Sequence, residues 1–191
     1  MTLSSGSSFP TGVELTYIPI DLATIKQANA LGCAKPFTLK VDRLIEQNAD
    51  SNILFVSVPV AFAPTCTEGH SQPFLAHLEK LKKEKDISVL IILSANDPFV
   101  MNAWGKLLLQ NADFNPDSEL PKVIFASDPN AEFSVANGMA LDLTNEGLGI
   151  RTGRYAFVVR TGTRSVVYYG MDPGHDDVVA SSYETIETAQ F

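Results

Sequence analysis

Ile53-Leu54-Phe55-Val56-Ser57-Val58-Pro59-Val60-Ala61-Phe62-Ala63-Pro64-Thr65-Cys66-Thr67-Glu68-Gly69-His70 is the stretch on which the reading of this chain turns. Ile53–Val58 is an almost unbroken apolar, β-branched run, the pattern of a central strand covered on both faces. Pro59 and Pro64 bracket a loop of small and aromatic residues that stiffens the approach to Cys66. Thr65 suits an N-cap, and Glu68 three residues on completes a Thr-x-x-Glu box. Cys66 is therefore expected at the first helical position, its sulfur beside backbone N–H groups that have no intrahelical partner. That setting favours a thiolate. Glu68 pulls the other way, so a cation from elsewhere in the chain is needed to complete a reactive site. Pro73 is expected to remove a helical hydrogen bond and kink the helix after two turns.

Outward from this junction the chain alternates β and α patterns. Further strands are expected at Val13–Ile18, Ser88–Leu93, Lys122–Ala126, Tyr155–Arg160 and Ser165–Tyr169, the last two joined by a Thr161-Gly162-Thr163-Arg164 turn with Gly162 supplying the bend. Helical periodicity places Phe37, Val41, Leu44 and Ile45 on one face after Pro36, and Phe74, Leu75, Leu78 and Leu81 on another. Pro98 opens a helix through Leu108, a short one follows Asp128-Pro129, and Ser181-x-x-Glu184 is read as the box that starts the last. Asn111–Pro121 reads as a loop. This order predicts an α/β fold in one domain over residues 1–191, a central mixed sheet with helices on both faces.

The 191 residues carry a formal net charge of −8. A surface of that sign repels nucleic-acid backbones and anionic membranes. No apolar run is long enough to span a bilayer. Residues 1–12 lack the basic start and apolar core of a signal peptide, and Ala189-Gln190-Phe191 is no Ser-Lys-Leu address. The expected setting is soluble and intracellular, in the cytosol. There, two cysteines rarely form a permanent staple; their plainer reading is as small buried hydrophobes.

Pro59-Val-Ala-Phe-Ala-Pro-Thr-Cys66 resembles the peroxidatic loop of the peroxiredoxins, Pro-x-x-x-(Thr/Ser)-x-x-Cys, and Cys66-x-x-x-His70 resembles its type-five subgroup. Asn96–Trp104, Ser127–Asn130, Gly147–Tyr155 and Ser181–Glu184 resemble later blocks of that subgroup in the same order, so the likeness covers roughly residues 10–191. Gly32-Cys33-Ala-Lys-Pro36 is similar to an element of the fungal alkyl hydroperoxide reductases. The resemblance implies a thioredoxin-like fold and a thiol peroxidase acting on hydrogen peroxide and alkyl hydroperoxides. By that likeness Cys66 is oxidised to a sulfenic acid, Cys33 resolves it as a disulfide, and thioredoxin reduces the disulfide. It further assigns Arg154 to the thiolate and peroxide, Pro59 to shielding the sulfur, and a homodimer to the assembly. No cofactor or metal is implied.

One position departs from the pattern: the motif hydroxyl falls at position 63, which here is Ala63. Thr65 or Thr67 would have to stand in for it. A slow redox sensor, or a weakened paralogue that binds rather than turns over, is therefore the competing reading. Simpler readings also stand beside the other residues. Cys33 can be an unpaired thiol in the Ala28–Lys35 loop, and Arg154 a surface cation. Trp104 and Phe99 fit the core and a dimer interface equally. His70 and His77 lack a carboxylate or second cysteine to complete a metal site, and His70 reads as a hydrogen-bonding neighbour of the site. Gly147-x-Gly149-x-x-Thr152 fails the dinucleotide fingerprint at its last glycine and is not expected to follow a strand.

Overall fold

A computed structural model describes residues 2–191. Seven strands form one mixed sheet in the order β2-β1-β5-β4-β3-β8-β9. Its centre is β3 (Asn52–Ser57), parallel to β4 (Ile87–Ser94), which is in turn parallel to β5 (Lys122–Ser127). On the other side of β3, β8 (Tyr155–Arg160) runs antiparallel, and β9 (Ser165–Met171) pairs antiparallel with β8. Every residue of β3 is buried, as its unbroken apolar run demands.

The two-residue period of the strands sorts these side chains between two cores. Leu54, Val56, Leu90 and Ile92 pack beneath Phe74, Leu75, Leu78, Trp104 and Leu108, which come from α2 (Gln72–Ala76), α3 (Leu78–Lys85) and α4 (Pro98–Asn111). Ile53, Phe55, Val89 and Ile91 face the opposite side, against Phe9 and against Leu44 and Ile45 of α1 (Val41–Gln47). There Phe55 stacks on Phe157 with centroids 4.5 Å apart. Asp97 caps α4, accepting from the amides of Phe99 and Val100. Asp128 accepts from the amides of Phe133 and Ser134 at the start of α5 (Glu132–Ala136).

Several local expectations fail, most of them because a distant partner outcompetes a local one. Phe37 does not begin a helix after Pro36. Phe37–Lys40 is the edge strand β2, paired antiparallel with β1 (Glu14–Tyr17) in the register Tyr17↔Phe37 and Leu15↔Leu39, and α1 starts only at Val41. In the β8–β9 turn the left-handed residue is Arg164 (φ 53°), not Gly162. The Arg164 guanidinium holds that conformation by pairing with Asp42 and donating to the carbonyls of Phe9 (2.9 Å) and Pro10 (2.7 Å). Gly149 does follow a strand. β6 (Ala140–Leu143) and β7 (Gly149–Thr152) form a separate antiparallel hairpin with no helix after it, so the segment still lacks a dinucleotide-binding turn. The last helix, α6 (Tyr183–Thr188), is capped by Ser182, whose hydroxyl accepts from the Thr185 amide. Ser181 is not the cap, because its hydroxyl is committed to Asp172.

Candidate active site

The strand-to-helix junction after β3 is built differently from a Thr65-capped helix. Pro64 already has helical angles (φ −55°, ψ −52°), and the first helical bond runs from the Thr67 amide to the Ala63 carbonyl at 2.9 Å. Thr65 caps nothing, no Thr65–Glu68 box forms, and Cys66 sits inside the first turn rather than at its first position. Thr65–Ser71 is π-helical and passes into α2 at Gln72–Pro73, where the proline cannot donate. The helix breaks again at His77, whose ring donates from Nδ1 to the Pro73 carbonyl (2.8 Å) and stacks on Tyr183 at 4.2 Å. His70 and His77 therefore do not share a straight helical face. Among the described residues no group of three or more His, Cys, Asp or Glu converges on a metal position.

Cys66 is only 2% exposed. Its sulfur accepts from Arg154 Nη2 at 3.4 Å. Arg154, which precedes β8, is wholly buried. It is not the surface cation that sequence alone leaves open. A buried guanidinium normally demands a carboxylate, yet no ion pair to Arg154 occurs among the described residues. Its remaining partners are neutral: Nη1 meets His70 Nδ1 at 3.1 Å, and Nη2 also donates to the carbonyl of His175. The sulfur of Cys66 is thus the group beside Arg154 that can carry a compensating negative charge. Burial is the chief cause that drives the His70 pKa down to about 4, so this imidazole is neutral near pH 7.

A second arginine organises the loop. Arg151 donates from Nε to the Pro59 carbonyl (2.9 Å) and from Nη2 to Asn96 Oδ1 (2.6 Å), and that same oxygen accepts the Ala61 amide (2.9 Å). Ser94 Oγ also reaches the Pro59 carbonyl, and Thr152 Oγ1 reaches Val58 O. Burial lowers the Arg151 pKa, and the nearby Cys66 sulfur opposes that shift. Ala63 is half-buried beside the first core. The Thr67 hydroxyl faces Trp104, accepting from its indole N–H at 3.3 Å.

The chain as a whole has relatives among known proteins. Residues 38–186 match the Redoxin family. The chain is 36% identical over 181 residues to a Lipomyces kononenkoae protein named as a peroxisomal peroxiredoxin, covering 95% of this chain and 97% of that one. It is 33% identical over 190 residues to peroxiredoxin AHP1 of Chaetomium thermophilum, covering 97% and 94%. The chain belongs to the peroxiredoxins. Among solved structures, reduced Prx3 of Vibrio vulnificus in complex with hydrogen peroxide superposes with a TM-score of 0.72, at 25% identity over 97% of this chain and 98% of that one. This peroxiredoxin thus has the expected thioredoxin-like fold and is a peroxidase enzyme.

Of the residues singled out in the sequence, Cys66 and Arg154 are brought into contact; Pro59 and Ala63 belong to the loop that leads into the Cys66 helix, and Cys33 bonds to none of them. Cys33 is exposed, its thiol unbonded, in a loop tethered to α4 by Lys106, which donates to the carbonyls of Asn29 (3.3 Å) and Gly32. Trp104 is core, edge-on to Phe125 at 5.8 Å, whereas Phe99 is 51% exposed. Sequence reasoning overlooked Arg151, Asn96 and Asp172, whose carboxylate accepts from the amides of Val179, Ala180 and Ser181 and from the Ser181 hydroxyl. Arg151 lies inside the Gly147–Tyr155 block, but nothing local separates it from a surface cation. The region holds no helix long and apolar enough to cross a membrane, nor does the rest of the described chain.

Proposed function

We propose that Cys66 is the peroxidatic thiol and Cys33 the resolving one in a thioredoxin-recycled peroxidase. The observation that carries this is the buried Arg154 guanidinium, which has no carboxylate partner among the described residues and reaches the Cys66 sulfur at 3.4 Å. The Cys66 thiolate attacks the terminal peroxide oxygen. The O–O bond breaks, a sulfenic acid forms, and the departing alkoxide or hydroxide takes up a proton. Arg154 offsets the negative charge as it moves from sulfur to oxygen, and buried Pro59 keeps water from the sulfur. The Cys33 thiol then condenses with the sulfenic acid, releasing water and leaving a disulfide, and thioredoxin reduces that disulfide by exchange. Because one thiol is exposed and the other buried, resolution requires the Cys33 loop or the Cys66 helix to move.

A homodimer fits the exposed aromatic rings Phe62 (53%), 6.4 Å from the Trp104 ring, and Phe99 (51%). A reducing compartment suits thiols that must be recycled, and the cytosol is the first choice. The name of the Lipomyces relative raises the peroxisome as the alternative, and imaging of the tagged full chain separates the two. Ala63 is the observation that favours the second reading, a slow redox sensor whose disulfide is read by a partner. Peroxide consumption coupled to thioredoxin tests the main reading: sustained turnover is expected, and a single stoichiometric oxidation without turnover would favour the sensor. A non-reducing gel after one equivalent of hydroperoxide tells an intersubunit bridge from an internal one.

A further inference from the structure

Arg154 is held by a closed ring of contacts that begins and ends on itself. Its guanidinium can only donate. His70 Nδ1, 3.1 Å from Nη1, must therefore present a lone pair, and the ring proton must sit on Nε2. Nε2 lies 2.9 Å from the Ser181 carbonyl, which can only accept, so the tautomer is imposed from both sides. Ser181 is fixed in turn. Its hydroxyl (2.5 Å) and amide (3.1 Å) donate to the Asp172 carboxylate, which also accepts the amides of Val179 (3.1 Å) and Ala180 (2.7 Å). The Asp172 amide closes the ring by donating to the Arg154 carbonyl at 2.9 Å.

We infer that His70 is a positioning residue for Arg154: as a neutral imidazole braced by the Asp172-held strap, it aims the guanidinium at the Cys66 sulfur. The inference rests on the reading that Cys66 and Arg154 carry out peroxide reduction. Arg154 Nε has no partner among the described residues, so loss of the His70 acceptor would leave a second buried N–H unpaired and the guanidinium held only through Nη2, by the His175 carbonyl and the Cys66 sulfur. The charged groups that bear on the ring are Arg154 and Asp172, and the Phe74 ring meets it edge-on at 5.9 Å. Protonated His70 would set two donors against each other at Arg154.

Two measurements on the reduced full-length chain test this. Imidazole nitrogen NMR near neutral pH is expected to show His70 protonated at Nε2 and bare at Nδ1. The opposite tautomer, or a doubly protonated ring, would overturn the inference whatever any variant does. Stopped-flow oxidation by hydrogen peroxide, followed through Trp104 fluorescence, then compares the native chain with Arg154→Gln, His70→Leu and His70→Gln. His70→Leu is expected to slow oxidation roughly 10- to 100-fold, the scale of one hydrogen bond to a charged group. His70→Gln should recover most of that loss, because its carboxamide can accept from Arg154 and donate to Ser181. Equal slowing in both His70 variants would mean packing alone matters and would refute the positioning role. If Arg154→Gln slows oxidation and His70→Leu does not, the inference fails while the peroxidase reading stands. If Arg154→Gln has no effect, the peroxidase reading itself fails.

Discussion

Acidification from about pH 7.5 to about pH 5 should destabilise the folded chain chiefly through His70. Its pKa falls from 6.5 to about 4, chiefly because burial disfavours the imidazolium. The unfolded chain therefore takes up this proton first. Stability from this group is complete above the unfolded value and drains away as the pH drops toward the folded one. The full shift corresponds to about 3 kcal/mol. Between about pH 7.5 and about pH 5 the share lost is about 2 kcal/mol, which for a chain of this length lowers Tm by about 4–8 °C. Urea unfolding of the reduced protein at both pH values measures the loss, and His70→Gln, which cannot titrate there, is the control. Asp172, with a lowered pKa, and Asp128, with a raised one, act in opposite directions but are common to both proteins. The native chain should thus lose about 2 kcal/mol more than His70→Gln over this interval. Parallel losses within about 0.5 kcal/mol would show that His70 is not held neutral by burial, and the reasoning would be wrong.

Ala63→Thr should speed peroxide reduction roughly 10- to 100-fold by adding a hydrogen bond to thiolate and peroxide, with little change in disulfide reduction by thioredoxin. Stopped-flow oxidation decides. Equal rates would mean that another group, such as Thr65, already serves, and a slower variant would mean the loop is built for a different contact. Cys33→Ser should leave the first oxidation of Cys66 intact, abolish thioredoxin-supported turnover and promote sulfinic acid, which mass spectrometry detects; full turnover in this variant would exclude Cys33 as the resolving thiol. Gly105→Ala should cost about 1–3 kcal/mol in urea unfolding by overpacking a well-filled core. The basis is that an added methyl would lie 2.5 Å from the Phe125 ring, and unchanged stability would show that the α4–β5 contact is looser than described.

The central sheet was legible in the amino-acid order because burial on both faces leaves its mark residue by residue: Ile53–Val58 and Val89–Leu93 carry no polar alternation, and both are central strands. The strand-to-helix placement of Cys66 was equally readable from prolines and periodicity. The family to which the chain belongs followed from the order of the later blocks. Two of the errors lie where a local signal met a distant competitor, and a third where it met an adjacent residue. Phe37 and Val41 share a helical spacing, but Phe37–Lys40 pair with β1 and extend. Ser181 and Glu184 have capping-box spacing, but Asp172 claims Ser181 and the cap moves to Ser182. Thr65 is a good cap residue, but Pro64 already has helical angles. What only the tertiary structure decided is the setting of the sulfur. Arg154 stands 88 residues from Cys66 and 84 from His70, and Ser181 is 111 residues from His70. Local sequence records the propensities of a segment. It does not record which buried donor will lack a carboxylate, because that depends on which groups packing brings into the same few ångströms and shuts away from water.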